Sequence, residues 1–133
     1  MNSGWLVLGL LAVGVLFGER SYASDGLPGR AAYFRYCGSC HGADGRGNGV
    51  VAGDMRTPPT DLTHLAKKNG GTFPYAQVRE SIDGRKRIAA HGSSEMPVWG
   101  QVFAGEKTYE QPEAHATSQV HIITDYLSTI QGN

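Results

Sequence analysis

Cys37, Cys40 and His41 stand within five residues, "CGSCH", and these are the only cysteines of the protein. Two thiols beside one imidazole suit three chemistries: dithiol–disulfide exchange, part of a metal site, or covalent capture of a haem. A dithiol oxidoreductase needs a strand before the pair and a helix after it. Here a helix-forming run precedes the pair and the glycine-rich loop "GADGRGNG" follows it. A structural zinc site needs four ligands, usually two such pairs, and this chain has one pair. The third chemistry fits the C-x-x-C-H spacing. The thiols add across the two vinyl groups of the porphyrin, and His41 falls under the iron.

The elements around the box must hold it. The 133 residues suffice for one domain. Lys plus Arg and Asp plus Glu number 12 each, and a neutral chain offers no basic surface for nucleic acid. Cys37 and Cys40 are too close in sequence to staple the domain, because loop size governs that stabilisation. The segment "LPGRAAYFRYC" predicts a helix opened by Pro28 and running into Cys37. Residues 42 to 53 read as a loop that turns tightly around the haem edge. A phosphate cradle would instead need a strand before it and a helix behind it. "TPPTDLTHLAKKNGG" predicts a helix with Thr60 as N-cap, Asp61 in the first turn and Gly70 as its stop. "TFPYAQVRESIDG" predicts a helix from Pro74 to Gly84, with Tyr75, Val78 and Ile82 on one face. "SSEMPVWGQVF" is broken by Pro97 and Gly100 and reads as a loop or a single turn. Residues 104 to 116 read as a polar connection. "TSQVHIITDYLSTIQG" predicts a last helix with Val120, Ile123, Leu127 and Ile130 on one face. The fold class is all-α, with three to five helices.

The N-terminus speaks to compartment. Residues 1 to 18 carry no charged side chain, and Ser21 and Ala23 sit at the −3 and −1 positions of a cleavage before Ser24. Residues 1–23 are therefore expected to be a signal peptide or an N-terminal membrane anchor, with residues 24–133 exported to the periplasm. The n-region lacks Lys and Arg. Eighteen helical residues span about 27 Å, close to the bilayer core of about 30 Å, so membrane association through residues 1–18 stays open.

From the box outward the chain resembles the small single-haem class I cytochromes c. The resemblance covers most of residues 27 to 131. It rests on "CGSCH", on Gly29 and Tyr33 before it, on Tyr126 and Leu127 in the last helix, and on "MPVWG", Met96 to Gly100. It implies a first and a last helix that cross, with shorter helices wrapping one haem held by Cys37 and Cys40. It implies His41 as one iron ligand, its other ring nitrogen bonded to a proline carbonyl, from Pro58 or Pro59. It also implies Met96 as the second ligand, in a distal loop.

Met55 is a rival thioether close to the box. His64, His91, His115 and His121 are rival imidazoles, of which His91 lies within five residues of Met96. Arg56, Arg85, Arg87 and Trp99 are candidates to bind the haem propionates. Tyr75, Val78, Ile82, Ile88 and Val98 are expected to line an apolar pocket. His/Met ligation fills all six positions of the iron and implies outer-sphere electron transfer between redox protein partners. The protein is then a carrier rather than an enzyme, either free or as a subunit of a larger redox complex. An open distal site would instead imply a sensor or haem enzyme.

Overall fold

The computed structural model describes residues 27–85 and 96–132. The expected signal or anchor segment, together with Arg87, Ile88 and His91, lies outside the described residues. The described residues contain α-helices and turns and no strand, so the all-α expectation holds. Six α-helical segments are present among them, more than the three to five expected, because two are single turns. They are α1 (Leu27–Tyr36), α2 (Gly38–His41), α3 (Leu65–Lys68), α4 (Tyr75–Asp83), α5 (Trp99–Ala104) and α6 (Pro112–Thr129). Short 3-10 turns at Ala52–Asp54 and Leu62–His64 complete the set.

α1 and α6 cross at Gly29. A Cβ there would collide with the Ile122 carbonyl and lie 2.9 Å from Cβ of Tyr126. Only a residue without a side chain lets the two backbones approach so closely. Beside this crossing the rings of Tyr33 and Tyr126 pack with centroids 5.2 Å apart. α6 supplies the predicted apolar face: Val120, Ile123 and Leu127 are all but fully buried. Each such side chain contributes about 1.5–3 kcal/mol of transfer free energy. Buried Thr124 resolves its hydroxyl within the same helix by donating to the Val120 carbonyl at 2.7 Å.

Three boundaries differ from expectation. The segment after Thr60 is capped by Asp61, whose Oδ1 accepts from the backbone N–H of Thr63 at 2.8 Å. One turn of 3-10 helix and one turn of α3 follow in place of a continuous helix. "WGQVFA" forms α5 where a loop was expected. Pro97 precedes this helix, and Gly100 falls in its first turn. α6 starts at Pro112, inside the stretch read as a polar connection. α4 agrees with expectation, running from Tyr75 behind Pro74 to a left-handed Gly84.

Candidate functional site

The last turn of α1, α2, the stretch from Thr57 to Thr60, α4, the stretch from Met96 to Trp99 and α6 enclose a cavity of about 320 Å³. Cys37, Cys40, His41, Pro59, Met96 and Trp99 all line it. Apolar walls come from Val78 and Ile82 of α4 and from Ile123 and Leu127 of α6.

The box is oriented by its own loop. After α2 the chain turns through Gly42, Gly45 and Gly47, all with positive φ, and folds back on the residues that precede it. The backbone N–H groups of Gly47, Gly49 and Val51 donate to the carbonyls of His41, Cys40 and Ser39 at 2.8, 3.0 and 3.1 Å. At Gly47, φ is 78° and a Cβ would strike the carbonyl of Pro59, so glycine is required there twice over. The N–H of Leu62 donates to the Gly45 carbonyl at 2.7 Å and pins the segment from Thr57 to Thr60 beside the imidazole.

His41 Nδ1 lies 3.0 Å from the carbonyl oxygen of Thr60. A carbonyl only accepts, so Nδ1 carries the proton and Nε2 keeps a lone pair for a metal. The acceptor is Thr60 and neither Pro58 nor Pro59. The carbonyl of Pro59 is turned instead toward Gly47. Burial holds the imidazole below its usual pKa, against the opposing effect of the Thr60 carbonyl, and favours the neutral form that ligates.

Both cysteines are free thiols. Burial, with Cys40 nearby, pushes the Cys37 thiol up to about 12. A thiol raised this far stays as the neutral S–H in the folded chain. Among the described residues no three His, Cys, Asp or Glu side chains gather into a metal cluster, so a zinc site lacks ligands there. Two thiols, one neutral imidazole, two thioethers (Met55 and Met96) and apolar walls are a donor set and surroundings that fit a covalently attached haem.

Met96 is half-buried, packs against the core and borders the cavity. Trp99 stacks on Phe103 with centroids 5.6 Å apart and meets Tyr36 edge-on at 5.5 Å. Met55 also borders the cavity.

Other expected site residues lie elsewhere. The Tyr75 hydroxyl donates to Asp125 at 2.5 Å and lies 3.3 Å from His121 Nδ1, and its side chain is not part of the cavity wall. Val98 and the exposed Arg56 are not part of it either. Arg85 is engaged with Asp83 and Glu113. Among the rival imidazoles, His64 bonds Asp61, His115 bonds Glu106, and His121 meets Tyr75 and Arg79. None of the three reaches the cavity. Sequence reasoning missed Tyr36, Ile123 and Leu127 as wall residues. Tyr36 adjoins Cys37, and Ile123 and Leu127 belong to the predicted apolar face of the last helix, so the signals were present.

The chain matches no curated protein and no solved structure. Residues 24–111 match the family described as cytochrome C oxidase, cbb3-type, subunit III. The match takes in the box, Thr60 and Met96 and stops one residue before α6. A match over about two thirds of the chain places this protein in the cbb3-type cytochrome c oxidase subunit III family, as a c-type cytochrome domain in which covalently bound haem serves electron transfer.

Proposed function

We propose that residues 24–133 form an exported electron carrier with a single haem c. Cys37 and Cys40 would hold the porphyrin as thioethers, and His41 Nε2 and Met96 Sδ would hold the iron. The observation that carries this reading is the His41–Thr60 contact: it engages Nδ1 and leaves Nε2 as the lone-pair nitrogen of an imidazole bordering a cavity that Cys37, Cys40 and Met96 share. The haem supplies one-electron chemistry at iron.

The chain's own residues set the conditions for that chemistry. With His41 and Met96 both as ligands, no place would be left for a substrate, and electrons would pass to and from protein redox partners. Val78, Ile82, Ile123 and Leu127 exclude water from the cavity. A dry, apolar wall disfavours the extra positive charge of oxidised iron and raises the potential, in the same direction as a thioether ligand. The Trp99 indole N–H is the candidate donor to a propionate. Arg56 and Tyr75 stand outside the wall and take no part in it.

A second reading is favoured by the family's description as an oxidase subunit: a cytochrome subunit tethered through residues 1–18 to a larger redox complex. No helix among the described residues is long and apolar enough to cross a membrane. The mass of the exported protein separates the readings, since an intact N-terminus supports tethering and cleavage before Ser24 supports a free carrier.

The central test is covalency. The full chain is made in a host that exports it and ligates haem, then denatured and extracted with acidified organic solvent. The expected result is colour retained on the polypeptide. Colour moving to the solvent overturns thioether attachment. Ready binding of carbon monoxide by the reduced protein would favour an open-site sensor.

A further inference from the structure

Arg85 immediately precedes residues 86–95, and Met96 immediately follows them. The described residues on the two sides pack directly on one another. Gly84 closes α4 with φ 68°, and a Cβ there would sit 3.3 Å from Cα of Val98. A Cβ on Gly100 would lie 2.6 Å from Nε of Arg85 and 2.8 Å from Oδ1 of Asp83. Arg85 is itself gripped on two sides. Its Nε donates to Oδ1 of Asp83 at 2.9 Å and its Nη2 to Oδ2 at 2.8 Å, while Nη1 donates to Glu113 of α6.

The two grips differ in weight. The Arg85 and Asp83 side chains are 30% and 25% exposed, and their bidentate pairing fixes orientation as well as distance. Glu113 is 73% exposed, so its arm is screened and contributes less. One guanidinium thus ties the end of α4 to the start of α6 while lying across the first turn of α5. Arg85 is not itself one of the residues lining the cavity.

We propose that Arg85 is a positioning residue for the distal ligand: its fork on Asp83 and Glu113, seated against Gly100, fixes the two ends of the 86–95 stretch and so holds Met96 at the cavity. The inference rests on the reading of Met96 as the sulfur ligand of the iron. With the ends of α4 and α5 fixed against each other, Met96 loses less freedom when its sulfur binds, so a loosened junction raises the fraction of molecules with Met96 detached. Gly100 acquires a reason at the same time. Alanine is the better helix former, but its methyl would intrude on the Arg85–Asp83 pair.

The test uses the full haem-loaded chain in its ferric state. Imidazole is titrated against the weak near-red absorption band of a methionine-ligated ferric haem. Arg85→Gln and Gly100→Ala are compared with the wild type and with Arg79→Gln, a change at a neighbouring arginine of α4. Imidazole should displace the band at roughly tenfold lower concentration in Arg85→Gln and Gly100→Ala, because apparent affinity scales with the detached fraction. Arg79→Gln should titrate as the wild type does. Arg85→Lys should not rescue, because an ammonium cannot form the fork. Glu113→Gln should show a smaller shift in the same direction, and it carries the test with Gly100→Ala if Arg85→Gln fails to fold. Wild-type titration by Arg85→Gln and Gly100→Ala overturns the proposal, as does an equal shift in Arg79→Gln. A wild-type band that survives Met96→Ala instead overturns the ligand reading, and the positioning role falls with it.

Discussion

The hydroxyl of Tyr33 donates to the carbonyl oxygen of Gly42 at 2.7 Å, and the Tyr33 side chain is fully buried. This bond joins the middle of α1 to the residue just after His41, so the box is held from behind by the helix that precedes it. Burial pushes the phenol far above its usual range and keeps the hydroxyl protonated as a donor. Tyr33→Phe should therefore leave a buried carbonyl without its partner. The expected loss is about 1–3 kcal/mol of unfolding free energy, read from denaturant melts of the haem-loaded protein. An unchanged midpoint would mean that the loop holds its place by other means.

Gly29→Ala opposes two effects of known sign. Helix propensity alone favours alanine by about 1 kcal/mol. The added methyl, however, would be driven into the Ile122 carbonyl and against Tyr126 at the crossing of α1 and α6. Overpacking of this kind costs about 1–3 kcal/mol, and backbone cannot move aside as a flexible side chain can. The expected outcome is net destabilisation in thermal melts; stabilisation would mean that the helices can separate freely.

Met96→Ala should remove the near-red thioether band and open the iron to carbon monoxide. It should also lower the midpoint potential by a sizeable part of the about 0.8 V range that axial ligands span. Redox titration with optical detection measures both effects. A spectrum and potential identical to the wild type would assign the ligand elsewhere, with Met55 the other thioether on the cavity.

Asp61 gives the fold an acid-sensitive cap. The Thr63 hydroxyl, at 2.6 Å from Oδ1, is the largest cause that pulls its carboxyl down to about 2, with His64 and the Thr63 N–H assisting. A depressed pKa stabilises the fold above the unfolded value of about 3.9, and the stabilisation fades as pH falls toward 2. Asp61→Asn should cost at most about 1 kcal/mol at neutral pH, since the side chain is one-third exposed. It should also flatten the pH dependence of stability between about 4 and 2. Parallel acid titrations of the two proteins by circular dichroism would reveal the difference.

What could be read from residues alone followed the strength of local signals. Pro74, the 3–4 spacing of Val78 and Ile82, and Gly84 all agree with one another, and α4 lies where they put it. At α5 the local signals conflict with tertiary packing. Gly100 looks like a helix breaker, yet it is a clearance for Arg85 and Asp83, which are distant from it in sequence. α6 was shortened for a related reason. Polar composition hid the start that Pro112, at the first helical position, announces. In the site, residue type and spacing brought out Cys37, Cys40 and His41, the family resemblance brought out Met96, and all four border one cavity. Which carbonyl meets His41 depends on how Gly47 crowds Pro59, a contact between loops that no spacing rule encodes. Tyr75 shares the apolar spacing of α4, but its hydroxyl reaches across to Asp125 and draws the ring toward the outer side of α6.

The crossing of α1 and α6 also bears on when the thiols can be reached. α6 lies far along the chain from the box, and it brings Ile123 and Leu127 to the cavity wall. Until α6 docks, the box lacks those two walls and its sulfurs stay within reach of solvent. In the finished fold Cys37 is only 8% accessible. The thiol is open to modification while α6 is undocked and shut away once α6 packs across α1.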